Sequence, residues 1–241
     1  MAVPRPSVTP NQSPERSSPP FNALAARRLR AALGMRPENV AYGLRASYGM
    51  PYVTADLVAA WERGTTRPSG RELTALAGVL WCAPEELVGR AQVLRDHRVA
   101  RGLAPEDVAR ALGIDLPVYL DMEEHGTWRG TERQAAVLAE LLDLALPVLL
   151  TVTGRAGKLA ELLREAVTTR WQASVRPVGK MLTSLDRRLL EVTLQELHQE
   201  YREHEERTAA APQRGDYGRE FLDRILDHFW SAIESRTGRA R

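Results

Sequence analysis

The sequence predicts an all-α protein, and three observations carry that prediction. After Phe21 the apolar residues recur at helical spacing and almost no alternating strand pattern appears. A stretch of about sixty residues is repeated in tandem. The final ninety residues carry apolar stripes on three amphipathic helices. The expected organisation is an arm over 1–22, a first helical domain over 23–90, a second over 91–150 and a helical oligomerisation or packing domain over 151–241.

The arm, MAVPRPSVTPNQSPERSSPP, holds six prolines and little to bury, so it reads as extended and disordered. LAARRLRAAL then places Leu24, Leu29 and Leu33 near helical spacing, with Arg27, Arg28 and Arg30 exposed at its flank. Pro37 opens a second helix at a position where its missing N–H costs nothing, and Val40, Ala41 and Leu44 face inward. SYGMPYV interrupts as a projecting loop containing Arg45, Tyr48 and Tyr52. Thr54 is a good N-cap for a third helix that buries Leu57 or Val58 together with Trp61 and stops at Gly64. A fourth helix from Pro68 and Ser69 turns Leu73, Leu76, Ala77 and Leu80 inward, and PEEL completes the unit at Leu87.

The second unit repeats the first. LRAALGM at 29–35 returns as HRVARGL at 97–103, and MRPENVA at 35–41 as LAPEDVA at 103–109. Met122-Glu123 takes the place of Trp61-Glu62, and LTALAGVL at 73–80 matches AAVLAELL at 135–142. Roughly seven extra residues separate the second and third helices of the first copy.

Beyond Gly157, one helix with Leu159, Leu162, Leu163, Ala166 and Val167 inward should end before Pro177. Another starts near Val178 with Leu182, Leu185, Leu189, Val192, Leu197 and Tyr201 on a stripe. After the turn-rich APQRGDYG, a last helix sets Phe221, Leu222, Ile225, Phe229, Trp230 and Ile233 on one face. Three such helices leave apolar surface for the repeats or for a second copy, and homodimerisation is the natural reading. A small-molecule pocket at Trp171, Phe229 and Trp230 is the less economical reading, because aromatic stripes usually form core.

Charge and chemistry narrow the function. The net charge of +2 is uneven: 23–90 carries nine basic and six acidic residues, whereas 91–150 carries six and ten. A polyanion would therefore meet the first unit. The longest apolar candidate for a membrane span, Leu141 to Val152, is short and contains Asp143 and Pro147. Without an apolar leader segment and with Cys82 as the single cysteine, a cytoplasmic, disulfide-free chain is expected. Cys82 reads as a small buried hydrophobe. No Gly-rich phosphate loop, nucleophile elbow or ligand-spaced His cluster is present, so neither catalysis nor a cofactor is expected. His198 and His204, six apart, do not share a helix face as metal ligands would.

These motifs together resemble the Xre, or lambda-repressor-like, helix-turn-helix family. The resemblance rests on Gly34-Met35-Arg36-Pro37-Glu38-Asn39-Val40-Ala41, Val53-Thr54, Trp61-Glu62-Arg63-Gly64, Pro68-Ser69 and Leu73-Thr74-Ala75-Leu76-Ala77, and spans about residues 24–150. It implies two tandem helix-turn-helix domains, with the third helix of the first entering the major groove and the second crossing the phosphates. It implies further that Ala55, Asp56, Ala59 and Ala60 face bases, that Arg63, Thr65 and Arg67 lie near the strand, and that Thr54 contacts backbone. Arg27, Arg28 and Arg45 complete the expected double-stranded DNA contacts. Two departures matter: Asp56 repels phosphate, and Glu38 stands where the family usually has Gln.

In the second repeat Leu116, Pro117, Val118 and Leu120 form an apolar surface flanked by Asp121, Glu123 and Glu124, which suits a protein partner better than DNA. Arg95, Arg98, Arg101 and Arg110 are its remaining phosphate candidates. The expected function is a DNA-binding transcriptional regulator acting as a homodimer. The alternative is an adaptor whose acidic second repeat docks a protein.

Overall fold

The structure, a computed structural model, describes residues 18–210 and 216–237. Fifteen helices and no strand occur among them, in agreement with the all-α expectation. The chain divides into two compact units between Leu144 and Ala145.

The first unit opens with α1 (Ala23–Ala32), capped by Asn22, whose side chain accepts from the Ala25 N–H. Of the expected inward leucines only Leu29 packs on the core: Leu24 is 66% exposed and Leu33 44%, while Ala26 is buried. The inward face runs through Ala26, Leu29 and Arg30, because Arg30 is drawn in to meet Glu62. That rotation carries Leu24 to water.

Helix α2 (Pro37–Tyr48) buries Val40, Ala41 and Leu44 as expected. It also continues through Arg45 to Tyr48 before Gly49, in the left-handed region, stops it. The extra residues are therefore not a projecting loop. They lengthen the helix and return as a tight turn whose Met50 and Val53 are buried in the core. Buried apolar anchors at both steps of the turn outweigh the turn propensity of the Gly-Met-Pro run.

Helix α3 (Ala55–Glu62) buries Val58 and Trp61, and α4 (Gly70–Val79) buries Leu73, Ala75, Leu76 and Ala77. A capping box between Ser69 and Glu72 starts α4. Helix α5 (Pro84–Leu87) closes the repeat with Leu87. Between them Trp81 stands 85% exposed with φ of 55°. Cys82 is half-buried, and burial pushes its thiol above its usual range.

Residues 1–17 of the predicted arm lie outside the described residues, but 18–22 are fastened. The Asn22 N–H donates to the Leu87 carbonyl at 2.8 Å and the Gly89 N–H to Pro20 at 2.7 Å. Phe21 pairs with Val88 across the same seam. Pro20 has no N–H to satisfy, so its carbonyl alone suffices for the fastening.

The second repeat comprises α6 (Leu94–Ala100), α7 (Pro105–Leu112), α8 (Leu116–His125) and α9 (Glu132–Leu142). Its buried Val108, Ala109 and Leu112 match Val40, Ala41 and Leu44, and Met122 matches Trp61. Thr131 and Gln134 repeat the capping box of Ser69 and Glu72. His97 is half-buried and its pKa is held below 6.5 by burial, against which Asp96 acts weakly. The unfolded chain then takes up a proton that the folded chain refuses, so stability contributed by neutral His97 is lost as pH falls through 6.5. Urea unfolding at pH 7.5 and 5.5 is expected to show a larger acid loss for the wild type than for His97→Asn.

The second unit begins earlier than expected. Asp143, with φ of 51°, ends α9, and α10 (Leu146–Val152) contributes Leu146 and Leu150 to the C-terminal core instead of completing the second repeat. Helices α11 (Ala156–Thr168), α12 (Trp171–Met181), α13 (Arg187–Ala210), α14 (Tyr217–Asp223) and α15 (Ile225–Thr237) follow. The break falls at Thr169 and Arg170, and Pro177 lies inside α12, so no helix starts at Val178. A proline there removes one backbone hydrogen bond, a loss that packing of Ser174, Val175 and Val178 offsets. The inward stripe of α13 runs Leu190, Leu194, Leu197, Tyr201, leaving Val192 outside. Phe221, Ile225, Phe229 and Ile233 are buried, although a break at Arg224 divides their predicted single helix. Most of APQRGDYG lies outside the described residues.

Candidate nucleic-acid interface

Helices α2 and α3 pack against each other and are held at the turn between them. The Arg45 guanidinium donates to the Val53 carbonyl at 2.7 Å, and Thr54 next to it accepts from the Leu57 N–H at 3.2 Å. Arg45 is thus a side chain of α2 that steadies the approach to α3, not part of a loop. Thr54 itself is exposed.

From that end α3 runs eight residues, a rise of about 12 Å, close to the roughly 12 Å width of a major groove. Burial of Val58 and Trp61 fixes which face is left over. Asp56 is exposed, and Ala55, Ala59 and Ala60 are half-buried. Asp56 occupies the first turn, where a carboxylate is favoured by the helix dipole; that is the physical reason for an acid here. Arg63 ends the helix, exposed, followed by exposed Thr65 and Arg67. The Thr65 hydroxyl donates to the Ala60 carbonyl at 3.0 Å, which commits its proton to the turn and leaves it only acceptor capacity.

Arg27 and Arg28 are exposed on α1, with Arg28 beside Glu86 in a shallow depression. Arg30, expected beside them at the flank, is turned inward. Its Nε and Nη2 donate to Glu62 at 2.6 and 2.7 Å and its Nη1 to the Met35 carbonyl at 2.7 Å. This fork joins α1, the α1–α2 turn and the end of α3, and the Glu62 hydrogen bond raises the Arg30 pKa.

The second repeat makes the same fork. Arg98 donates to Glu123 at 2.6 and 3.0 Å and to the Leu103 carbonyl at 2.9 Å, and the Tyr119 hydroxyl adds a bond to Glu123 at 2.6 Å. Burial by itself lowers the Arg98 pKa, but its bonds to Glu123 overcome this and raise it; burial and Glu123 push Tyr119 well above the usual phenol range. Glu123 is therefore not a surface acid and Arg98 not a phosphate contact. Sequence reasoning missed both forks, yet the signal was present: Arg30 with Arg98 and Glu62 with Glu123 occupy matched positions of the repeat.

The outer face of α8 differs from that of α3. With Glu123 matched to Glu62, Leu120 stands where α3 has Ala59 and Glu124 where it has Arg63. Val118 and Leu120 are each 40% exposed. Asp121 is paired with Arg129 and His125. Trp128 is half-buried against Gly130.

In the second unit, Phe229 is core, Trp230 meets its ring edge-on, and Trp171 is a partly buried neighbour of the same cluster. The His198 Nδ1–H donates to the Val167 carbonyl, 2.8 Å away, whereas His204 and His228 flank Phe221 and approach Glu200. Among the described residues, no group of three or more potential ligands is arranged to hold a metal. No single described helix is long and apolar enough to cross a membrane. No family model matches the chain, and no match is found among curated proteins or solved structures.

Proposed function

We propose that the chain is a cytoplasmic, sequence-specific DNA-binding transcriptional regulator of the helix-turn-helix kind, whose first repeat contacts operator DNA. The observation that carries this reading is the setting of α3. An exposed N-cap at Thr54, an outer face of Ala55, Ala59 and Ala60 with Asp56, Arg45 at the end of α2, and exposed Arg63 and Arg67 after its last turn surround a helix braced from both sides. Small side chains let the helix approach base edges closely, while the arginines supply the counter-charge. Homodimer binding follows from the two-fold operators such domains usually read. It does not follow from spare apolar surface in the C-terminal unit, because those stripes are largely consumed in that unit's own core.

The test is capture of genomic fragments by the full-length protein at physiological salt. Recovery of an inverted-repeat motif is the expected result. Recovery of unselected fragments that wash away steeply with salt would remove the specific reading.

A second reading is favoured by α8. Its exposed Val118 and Leu120 beside Glu124 suit a protein partner at the second repeat, in which case the chain is an adaptor.

A further inference from the structure

Between the two repeats lies a groove of about 490 Å³, within the usual range for small-molecule sites. One wall comes from the end of α2 and the first turns of α4; the other comes from α6 and the start of α7. Met50, Ala75, Val99 and Leu103 give it an apolar lining.

Gly70 brings the two walls together, and Gly102 lets the second wall close on α5. A Cβ on Gly70 would stand 3.0 Å from Val99 Cγ2, and one on Gly102 would stand 3.2 Å from Pro84 Cγ. Gly102 also has φ of 66°, a conformation other residues adopt with strain. The groove is consequently built into the contact between the repeats and needs no rearrangement to form.

Its charge is asymmetric in a useful way. Arg98 also lines the groove, but its guanidinium is engaged by Glu123. Arg71 is exposed at the rim, in the first turn of α4, and forms no ion pair among the described residues. The start of α7 lies across from it, with Glu106 and Asp107 in its first turn, so that wall brings no net positive charge and Arg71 is the cation of the groove. Glu106 is exposed and lines the rim on that side, opposite Arg71.

We propose that this groove is a binding site for a small organic anion with an apolar body, its charged group held at Arg71. The apolar lining takes the body, and the free guanidinium supplies a charge-assisted bond. The inference is independent of the DNA reading, and its test involves no DNA.

The probe is anilinonaphthalene sulfonate, an aromatic anion whose fluorescence rises on leaving water. Titrated onto the full chain, it is expected to bind one to one. Arg71→Glu, a surface change that leaves the core untouched, is expected to weaken binding at least about tenfold. Thr74→Trp, which fills the groove, is expected to abolish it; far-ultraviolet circular dichroism on both variants reports that the helices persist. Absence of binding to the wild type, or binding that Arg71→Glu leaves unchanged, overturns the proposal.

Discussion

Replacing Glu123 by Ala is expected to destabilise the first unit by about 3–5 kcal/mol, as read from the urea midpoint at neutral pH. The carboxylate is fully shielded from water and accepts from Arg98 twice and from Tyr119 once, with Arg95 3.7 Å away. Its removal leaves a buried guanidinium without counter-charge and a buried phenol without an acceptor, and each orphan costs free energy on its own. Since domains of this size are stable by only about 5–15 kcal/mol, the loss is a large fraction of the total. The control is the pair removed together: Arg98→Met with Glu123→Leu leaves far less uncompensated charge and should recover most of the loss. A midpoint shift below about 1 kcal/mol for Glu123→Ala would mean that water reaches the site.

The second large effect concerns DNA. Arg27, Arg28 and Arg63 are all exposed, and none is tied into a fork such as that of Arg30. Changing the three to Ala is expected to weaken binding to a retained fragment by about a hundredfold or more near physiological salt, and to lower the salt slope by about 0.9 for each phosphate lost. The measurement is fluorescence anisotropy across a salt series. Unfolding is not a competing explanation, because no core contact is removed. An unchanged slope would transfer the reading to the adaptor, for which charge reversal at Asp121 and Glu124 should release a protein partner.

The fold was largely legible in the sequence for a definable reason. Helix starts depended on local chemistry, and Thr54, Ser69, Thr131, Pro37 and Pro105 all stand at helix starts. The repeat was legible because buried positions recur in register. What was not legible depended on distant partners. Arg30 looks like a surface residue until Glu62, thirty-two positions away, is brought beside it. The extension of α2 past Arg45 is fixed by Met50 and Val53 finding a core that local turn signals do not describe. Pro177 looks like a stop in the sequence, but the chain breaks earlier, at Thr169, and the following helix tolerates the proline because its neighbours are buried. At the candidate interface the sequence did not reveal that the Thr65 hydroxyl is already spent or that Arg45 holds the turn.

The seam formed by Pro20, Phe21 and Asn22 with Leu87, Val88 and Gly89 has a consequence for how such a chain could arise. It sets the entrance and the exit of the first repeat side by side. A segment whose two ends adjoin can be copied, excised or spliced into another chain without stretching the backbone on either side. The first repeat thus has the geometry of a transposable cassette, one that can be joined to another chain at a single place.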